Sequence, residues 1–352
     1  MTRILSYNIL AGGYNTRNNT RRTDQLLRMI RSVQPDVIGL PEGIHQQIKQ
    51  QPLIVEEVAQ ALGMQLIIGG TPSSSRDYQT ALLTKLPVLY TKSHARPGVL
   101  ARPLLEVCLE DSDGQPLTVF LTHLSAAFNK GWAGSHIRNR EVSAILEIMA
   151  PLRAEGRPHL LMGDFNSLAP KEPFKASYLL KYVVRMDDRH PTTDMNDGHP
   201  YIDAVVPPKL RGLIPLLRIV AHNETLCKLF DLAAYFYAPR SCIHQLQERY
   251  EDCFRRKHRH DPGFTCPAAA PAGRIDYIFA NSVLADRLLD CTVLTHGEDN
   301  LVGSAASDHL AVFAEFGPGV LRQAEKPISV PEQSEVSTRV PNDEVATQSS
   351  QS

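Results

Sequence analysis

Apolar and polar positions along the chain predict short strands that alternate with helices. "ILSYNIL" (residues 4–10) alternates as a strand does, and "TDQLLRMIRSV" (23–33) places its apolar residues at helical spacing behind a threonine suited to a helix cap. The run "DVIGL" (36–40) then predicts a second buried strand. Strand, helix and strand in this order are typical of a layered α/β fold.

The same pattern continues to about residue 316. The further strand candidates are "QLIIGG", "TALLTKLPVLY", "LLEVCLE", "LTVFLTHLS", "HLLMGDF", "RIDYIFA" and "HLAVFAEF". The turn signal Asp111-Ser112-Asp113-Gly114 between "LLEVCLE" and "LTVFLTHLS" predicts a β-hairpin. Because some strands are joined by hairpins and others by helices, we expect mixed sheets.

Two segments depart from this pattern. Residues 205–271 have helical character between two strand-like motifs and are interpreted as a helical insert within a domain that spans residues 1–320. A substrate lid, an oligomer contact and an extra packing layer are the alternatives for this insert. Residues 325–352 hold no aromatic residue and are rich in Ser, Gln, Glu, Val, Thr and Pro, which predicts a disordered tail.

Composition narrows the possible functions. The chain has 352 residues, 43% of them hydrophobic, and a formal net charge of -1, so a sizeable core is expected while a coating role along a polyanion is disfavoured. The start Met1-Thr2-Arg3 passes directly into a strand pattern without a signal peptide, and no apolar run is long enough for a transmembrane segment, so we expect a cytoplasmic location.

The cysteines raise one metal hypothesis. None of the six is in a CxxC pair, but Cys227, Cys242, Cys253 and Cys266 share a region with four histidines: His222, His244, His258 and His260. A structural zinc site is the sharper interpretation of this group. Unpaired core thiols are the interpretation that their wide spacing favours.

A set of polar side chains stands in or beside the apolar strands. Its members are Asn8, Glu42, His123, Asp164, Asn166, Asp276, Asp308 and His309. One such residue would be an ordinary satisfied polar group, whereas eight at strand ends indicate a cleft with chemistry. Carboxylate and carboxamide oxygens suit Mg²⁺ or Mn²⁺, and an unligated carboxylate can deprotonate water beside imidazoles that donate to phosphoryl oxygens. The set predicts metal-assisted hydrolysis of a phosphate ester.

The motifs "ILSYNIL", "PDVIGLPE", "LTHLS", "LLMGDFN", "RIDYIF" and "SDHLAVF", in this order, resemble those of the endonuclease/exonuclease/phosphatase superfamily over about residues 3–316. The resemblance implies a DNase I-like fold, a four-layer sandwich of two mixed, mostly antiparallel sheets flanked by helices. Pro41 departs from the family pattern, which often has glutamine before the metal-binding glutamate.

The resemblance also implies roles for individual residues. Glu42, Asn8 and Asp308 are expected at the metal site. Asp164 is expected to activate or orient the attacking water, Asn166 to fix the phosphate, and Asp276 to orient His309. His123 resembles the histidine on the leaving-group side, and the sequence leaves open which histidine is the acid.

These features together predict a Mg²⁺-dependent phosphoesterase, with Mn²⁺ as a possible substitute, acting on a phosphodiester. The alternatives are a DNA or RNA endonuclease or exonuclease and, outside enzymes, a catalytically silent binding module. Nucleic acid, a lipid headgroup and an inositol phosphate all remain open as substrates, as does the oligomeric state. Two basic clusters are candidate phosphate contacts or solvated faces: one is Arg17, Arg21 and Arg22, and the other is Arg255, Arg256, Lys257 and Arg259. Trp132 is a candidate for the cleft mouth or for packing.

Overall fold

Two six-stranded sheets form the centre of the protein in a computed structural model. The structure describes residues 1–15, 20–45, 52–71, 78–126, 132–189, 206, 208–238 and 240–319. These belong to one compact unit, residues 1–319. The predicted tail at 325–352 lies outside the described residues, and the predicted domain limits stay a prediction.

The first sheet has the strand order β13-β14-β1-β4-β6-β5. Its strands are β1 (Thr2–Ser6), β4 (Val37–His45), β5 (Gln65–Ile68), β6 (Tyr78–Thr84), β13 (Leu288–Leu294) and β14 (Ala311–Phe316). β1 is parallel to β4, with Ile4 opposite Val37, and antiparallel to β14. A separate small ribbon pairs β2 (Tyr14–Asn15) with β3 (Thr20–Arg21).

The second sheet has the order β11-β12-β10-β9-β8-β7. Its strands are β7 (Val88–His94), β8 (Leu104–Glu110), β9 (Pro116–His123), β10 (His159–Asp164), β11 (Glu251–Asp252) and β12 (Asp276–Ala280). β9 is parallel to β10, and the other neighbouring pairs are antiparallel. The predicted hairpin is confirmed by the antiparallel pairing of β8 and β9.

Helices cover both outer faces. They are α1 (Leu10–Gly13), α2 (Thr23–Arg31), α3 (Ile54–Leu62), α4 (Trp132–Ala154), α5 (Ala176–Arg189), α6 (Ile214–Ala221), α7 (Glu224–Tyr237), α8 (Ser241–Gln247), α9 (Cys253–Lys257) and α10 (Ser282–Ala285). Short 3-10 turns lie at Pro208–Leu213, Glu298–Asn300 and Gly303–Ala305.

Three apolar clusters hold the layers together. Ile4 and Val37 of the first sheet pack with Leu160 and Ile278 of the second in a core between the sheets. A second cluster joins the first sheet to α2 and α3, and a third joins the second sheet to α4 and α8. Burial of apolar side chains on both faces of each sheet stabilises a four-layer sandwich. The predicted fold class of two mixed sheets flanked by helices is confirmed.

The segment predicted as an insert contains α6 to α9. A fourth apolar cluster packs α6 and α7 against α5 and includes Val183, Val184 and Ala221. Among the described residues, no helix combines the length and the apolar character needed to cross a membrane.

Candidate active site

The strand register places three of the eight predicted site residues side by side. Asp164, the last residue of β10, lies opposite His123 on β9 and opposite Asp276 on β12. Gly163 permits this close arrangement, because its φ is +141° and a Cβ there would lie 1.9 Å from the Thr122 carbonyl oxygen. The second sheet therefore places the Asp164 carboxylate between an imidazole and a second carboxylate, at one end of its strands.

The first sheet supplies Asn8 and Glu42 to the same place. Asn8 follows the end of β1 and Glu42 lies within β4, and the parallel pairing of the two strands brings them together. The Asn8 Nδ2 atom donates to Glu42 Oε1 at 3.3 Å and, across the two sheets, to Asp164 Oδ2 at 3.0 Å. Glu42 Oε2 accepts from the Ala11 backbone N–H at 3.0 Å, so the turn after β1 fixes this carboxylate.

Asn166 and its neighbours form the turn that leaves β10. Asn166 has a φ of +48°, a conformation that asparagine tolerates better than most residues. Its backbone N–H donates to Asp164 Oδ1 at 2.8 Å, and its Nδ2 donates to the Leu124 carbonyl oxygen at 3.0 Å. Asn166 is buried, at 5% exposure, and it holds Asp164 through its backbone N–H.

Both histidines lie close to the same oxygen of Asp164. His309 Nδ1 lies 2.8 Å from Asp276 Oδ2, and its Nε2 lies 3.8 Å from Asp164 Oδ2. His123 Nε2 lies 3.5 Å from Asp164 Oδ2 and 3.8 Å from Glu42 Oε1. Two groups could therefore hold a metal ion, one of Glu42, His123 and Asp164 and the other of Asp164, Asp276 and His309.

Burial and charge give the two histidines different ionisation. Burial lowers the pKa of His123 well below its ordinary value, and the nearby cation of Arg102 adds to this effect, so the imidazole is neutral. Burial would also lower the pKa of His309, but the Asp276 carboxylate and other neighbouring acids outweigh it and raise that pKa well above 6.5. His309 is therefore the cationic member of the pair at neutral pH.

The carboxylates are held in a region that disfavours negative charge. Burial raises the pKa of Asp164 to about 7, and burial together with the Asp308 charge raises the pKa of Glu42. A bound cation would relieve both penalties, and oxygen donors are those that Mg²⁺ and Mn²⁺ prefer. The residues present therefore fit a divalent metal ion.

Asp308 is the predicted site residue that stands apart. It is part of neither cluster of metal-ligating atoms, although it is close enough to Glu42 to influence its pKa. The loop that carries it is tied to the site, because Ser307 Oγ donates to the Asn8 carbonyl oxygen at 2.7 Å and accepts from the His309 N–H at 3.2 Å. The structure thus brings all eight predicted residues to one region, with Asp308 at its margin.

Arg102 is a residue near the site that the sequence did not indicate. Its Nη1 donates to the carbonyl oxygens of His123 and Leu124 at 3.1 and 3.2 Å, and its guanidinium lies 5.9 Å from the centre of the Tyr78 ring. The loop "GVLARP" that holds Arg102 has no motif that would have predicted this position.

Several described members of the two basic clusters, Arg22, Arg255 and Arg256 among them, make side-chain contacts within the protein. Arg22 donates to the carbonyl oxygens of Ile9, Leu10, Tyr14 and Ala306, which ties the loops around the site together. Arg255 is bound to Glu172 and to three carbonyl oxygens, and Arg256 pairs with Asp286. Arg17 and the Trp132 side chain lie outside the part of the chain that the structure describes.

Among the described residues of the cysteine-rich region, no group has the spacing of metal ligands. All six cysteines are free thiols. Within the described residues, which include the four cysteines and four histidines of the zinc hypothesis, the only clusters with metal-ligand spacing are the two at the Asp164 site. Unpaired thiols are the interpretation that this arrangement supports.

Comparison with known proteins gives a family and a fold. The sequence model of the "Endonuclease/Exonuclease/phosphatase family" matches residues 5–193, which is more than half of the chain and confirms the predicted resemblance. A search of curated proteins finds no match.

Several solved structures share this fold. An AP endonuclease from Archaeoglobus fulgidus is 16% identical, with 90% of this chain and 99% of that chain covered and a TM-score of 0.53. The 3' phosphatase NExo from Neisseria, bound to a product DNA hairpin, is 14% identical, with 90% and 99% covered and a TM-score of 0.52. Truncated TDP2 from Caenorhabditis elegans is 15% identical, with 90% and 97% covered and a TM-score of 0.53. At these identities the likeness shows the fold alone.

Proposed function

Because the chain belongs to the Endonuclease/Exonuclease/phosphatase family, we propose that the Asp164 site hydrolyses a phosphate ester, with a phosphodiester as the preferred substrate. The observation that carries this proposal is the row of His123, Asp164 and Asp276 on three adjacent strands, joined across the sheets to Asn8 and Glu42. A water activated at the centre of this row attacks phosphorus, and the ester oxygen leaves.

Asp164 is the group proposed to take the proton of the attacking water. Its carboxylate is fixed by the Asn166 N–H and by the Asn8 amide, so the free lone pairs of its oxygens point in defined directions. Burial raises the pKa of Asp164 above the ordinary value of an aspartate, which makes its carboxylate a stronger base for proton transfer.

His309 is proposed to donate from Nε2 to a phosphoryl oxygen. Asp276 accepts from Nδ1 at 2.8 Å and fixes both the ring orientation and the positive charge. A charged donor stabilises the negative charge that grows on the phosphoryl oxygens in the transition state. His123, which is neutral, is proposed to contact the leaving oxygen without contributing charge.

Glu42 and Asn8, together with Asp308 at the margin of the site, are proposed to hold one Mg²⁺ ion, for which Mn²⁺ can substitute. When bound, such an ion supplies Lewis-acid stabilisation of a phosphoryl oxygen. The carboxylate of Glu42 is positioned for this by the Ala11 N–H and by the Asn8 amide.

A nuclease activity is the second candidate function. It is supported by the names of the structural neighbours, which include an AP endonuclease and a 3' phosphatase bound to DNA. The contacts of Arg22 and Arg255 with carbonyl oxygens and Glu172 count against it, because those guanidinium groups stabilise loops instead of presenting a basic track to a polyanion.

A substrate panel with two variants tests the proposal. We expect the wild type with Mg²⁺ to hydrolyse bis(p-nitrophenyl) phosphate faster than p-nitrophenyl phosphate. Asp164→Asn should lose that activity, while the exposed Asp24→Asn should keep it. The panel also contains abasic duplex DNA, single-stranded RNA, phospholipid vesicles and inositol phosphates. No hydrolysis of any ester, or equal activity in Asp164→Asn, would contradict the proposal.

A further inference from the structure

Thr265 is a buried polar residue that has no part in the chemistry proposed above. It is 0% exposed, and it lies between α9 and β12, 11 residues before Asp276. A buried hydroxyl keeps its place in a core when it satisfies polar groups that would otherwise lack a partner. The groups that Thr265 satisfies belong to the backbone of Asp276 and to the chain around His309.

The hydroxyl of Thr265 holds the start of β12. Its Oγ1 atom accepts from the Ile275 N–H at 3.1 Å and from the Asp276 N–H at 3.3 Å. Asp276 is the first residue of β12 and stands opposite Asp164 on β10. Thr265 therefore fixes the backbone from which the Asp276 carboxylate extends.

The main chain at and beside Thr265 holds the loop that carries His309. The Leu310 N–H donates to the Thr265 carbonyl oxygen at 2.7 Å, and the Ala268 N–H donates to the Asp308 carbonyl oxygen at 2.6 Å. These two bonds lie on either side of His309 in the sequence. The segment that contains Thr265 therefore contacts both the start of β12 and the loop before β14.

This segment is itself closed by backbone hydrogen bonds. The Thr265 N–H donates to the Gly273 carbonyl oxygen at 2.9 Å. Cys266 and Gly273 form an antiparallel bridge with N···O distances of 3.1 Å in both directions. The segment is anchored at both ends, so it can hold β12 and the His309 loop at a fixed separation.

The pair formed by Asp276 and His309 joins the two sheets. Asp276 belongs to β12 of the second sheet, whereas His309 precedes β14 of the first. The distance from His309 Nδ1 to Asp276 Oδ2 is 2.8 Å, so a displacement of a few tenths of an ångström between the two backbones would weaken this bond. Thr265 contacts both backbones and therefore lies where this distance is set.

We propose that Thr265 is a positioning residue for hydrolysis at the Asp164 site, because it holds the Asp276 carboxylate at hydrogen-bonding distance from His309. This role rests on the proposed function, in which His309 donates to a phosphoryl oxygen. Thr265 acts through the pair and not on the reacting atoms, as residues that support a catalytic group do. The end of the segment predicted as a helical insert thus supports the site, while α6 and α7 pack against α5.

Substitution of Thr265 separates the effect of its hydroxyl from that of its shape. Thr265→Val keeps the volume and removes Oγ1, whereas Thr265→Ser keeps Oγ1 and removes a methyl group. With Mg²⁺ and bis(p-nitrophenyl) phosphate, Thr265→Val should lower kcat by about tenfold to 100-fold and leave KM within about twofold of wild type, as misplacement of a catalytic group does. Thr265→Ser should keep kcat within about threefold of wild type.

Thr84→Val is the matched control for loss of a buried hydroxyl. Thr84 is 1% exposed, and its Oγ1 accepts from the Leu86 backbone N–H at 2.9 Å, so it makes the same kind of bond as Thr265. It lies opposite Val37 at the start of β4, whereas Glu42 lies near the other end of that strand. This variant should lower the melting temperature and leave kcat unchanged.

Two further measurements distinguish positioning of the pair from general support of the fold. In the Asp276→Asn background, where His309 has already lost its carboxylate partner, adding Thr265→Val should change kcat by less than about twofold. In crystal structures, the distance from His309 Nδ1 to Asp276 Oδ2 should exceed about 3.2 Å in Thr265→Val and stay near the wild-type distance in Thr265→Ser. The crystal structures test the positioning role even if the wild type hydrolyses no ester, an outcome that would contradict the proposed function alone.

Four outcomes would overturn the proposal. They are a folded Thr265→Val variant with wild-type kcat, an equal loss of kcat in Thr265→Ser, the same loss of kcat in the wild-type and Asp276→Asn backgrounds, and an unchanged Nδ1 to Oδ2 distance in the Thr265→Val crystal. If circular dichroism shows that Thr265→Val is unfolded, Thr265→Cys takes its place, because a thiol is a weak hydrogen-bond acceptor. The same four outcomes in that variant would then overturn the proposal.

Discussion

Asp164→Asn should make the protein more stable and nearly inactive at the same time. The substitution preserves the shape of the side chain and removes its charge and basicity. The Asp164 carboxyl is 2% exposed, and burial raises its pKa from 3.8 to about 7. Because one pKa unit is about 1.4 kcal/mol, the ionised carboxylate costs the folded state about 4 kcal/mol at neutral pH.

A lost hydrogen bond offsets part of the stability that the variant gains by removing this buried charge. Asp164 Oδ2 accepts from Asn8 Nδ2, and an amide nitrogen of the new asparagine would face that donor or force a flip away from the Asn166 N–H. A buried hydrogen-bonding group left unsatisfied costs about 1 to 3 kcal/mol. We therefore expect a net gain of about 1 to 3 kcal/mol in the free energy of unfolding at pH 8.

The gain should depend on pH with a defined sign. The folded pKa of Asp164 lies above the unfolded value, so the stability linked to its protonation is complete below about pH 4 and is lost as pH rises through about 7. The variant has no carboxylate at this position to ionise. The difference in free energy of unfolding between variant and wild type should therefore shrink to about zero at pH 5. Urea unfolding in EDTA at pH 5 and pH 8 measures the difference without a metal ion to stabilise the carboxylate.

Turnover completes the test. If Asp164 activates water, kcat with Mg²⁺ should fall by about 10² to 10⁴, the usual contribution of a positioned general base. Full activity combined with reduced stability at both pH values would refute the reasoning, and the end of β10 would then be a structural polar cluster.

Three further variants test two groups of the candidate site, Glu42 and Asp276, and one carboxylate elsewhere, Glu106. Glu42→Ala should raise the Mg²⁺ concentration needed for half-maximal activity at least tenfold, and EDTA should abolish wild-type activity; activity that persists in EDTA would refute the metal role. Asp276→Asn should lower kcat about 10²-fold or more with little change in KM, because His309 loses both its orientation and its charge; steady-state kinetics would show this, and a change in KM alone would contradict it. Burial would raise the pKa of Glu106, but hydrogen bonds from His94 and Tyr90 outweigh burial and lower that pKa. The stability that the ionised Glu106 gives to the folded protein is therefore present above about pH 4.5 and is lost as pH falls through the folded pKa. Glu106→Gln should therefore destabilise the protein at pH 7 more than at pH 3 in urea unfolding, and equal losses at both pH values would contradict the assignment.

Much of the fold was predictable because apolar periodicity is local. The hairpin of β8 and β9 follows from four turn residues and two alternating runs. "TALLTKLPVLY" was predicted as one run, but it divides into β6 and β7, which belong to different sheets, with Lys85, Leu86 and Pro87 between them. Proline lacks the N–H that a continuous strand would need at that point. β13 was not predicted, although "LLDCTVL" has the composition of a strand.

The proximity of the eight candidate residues was predictable from the sequence, but their geometry was predictable only in part. Ordered motifs identify eight polar residues, yet the row of His123, Asp164 and Asp276 depends on strand register, which is set by long-range pairing. The position of Arg102 behind His123 depends on loop packing and has no local signal. The exposure of Leu229, Leu232 and Phe236 on α7 was also not predictable, because periodicity shows that a helix has apolar faces without showing which of them is covered.

The hydrogen bond between Asn8 and Asp164 makes the geometry of the site depend on assembly of the whole domain. The two residues are 156 positions apart, and they come from two different sheets that pack against each other across an apolar core. Neither sheet can assemble these groups alone, so a fragment that carries only the second sheet, residues 88–280, should be inert. Turnover should return only when the two sheets pack together. During unfolding, activity should therefore be lost as soon as the two sheets separate, before the strands within either sheet unpair.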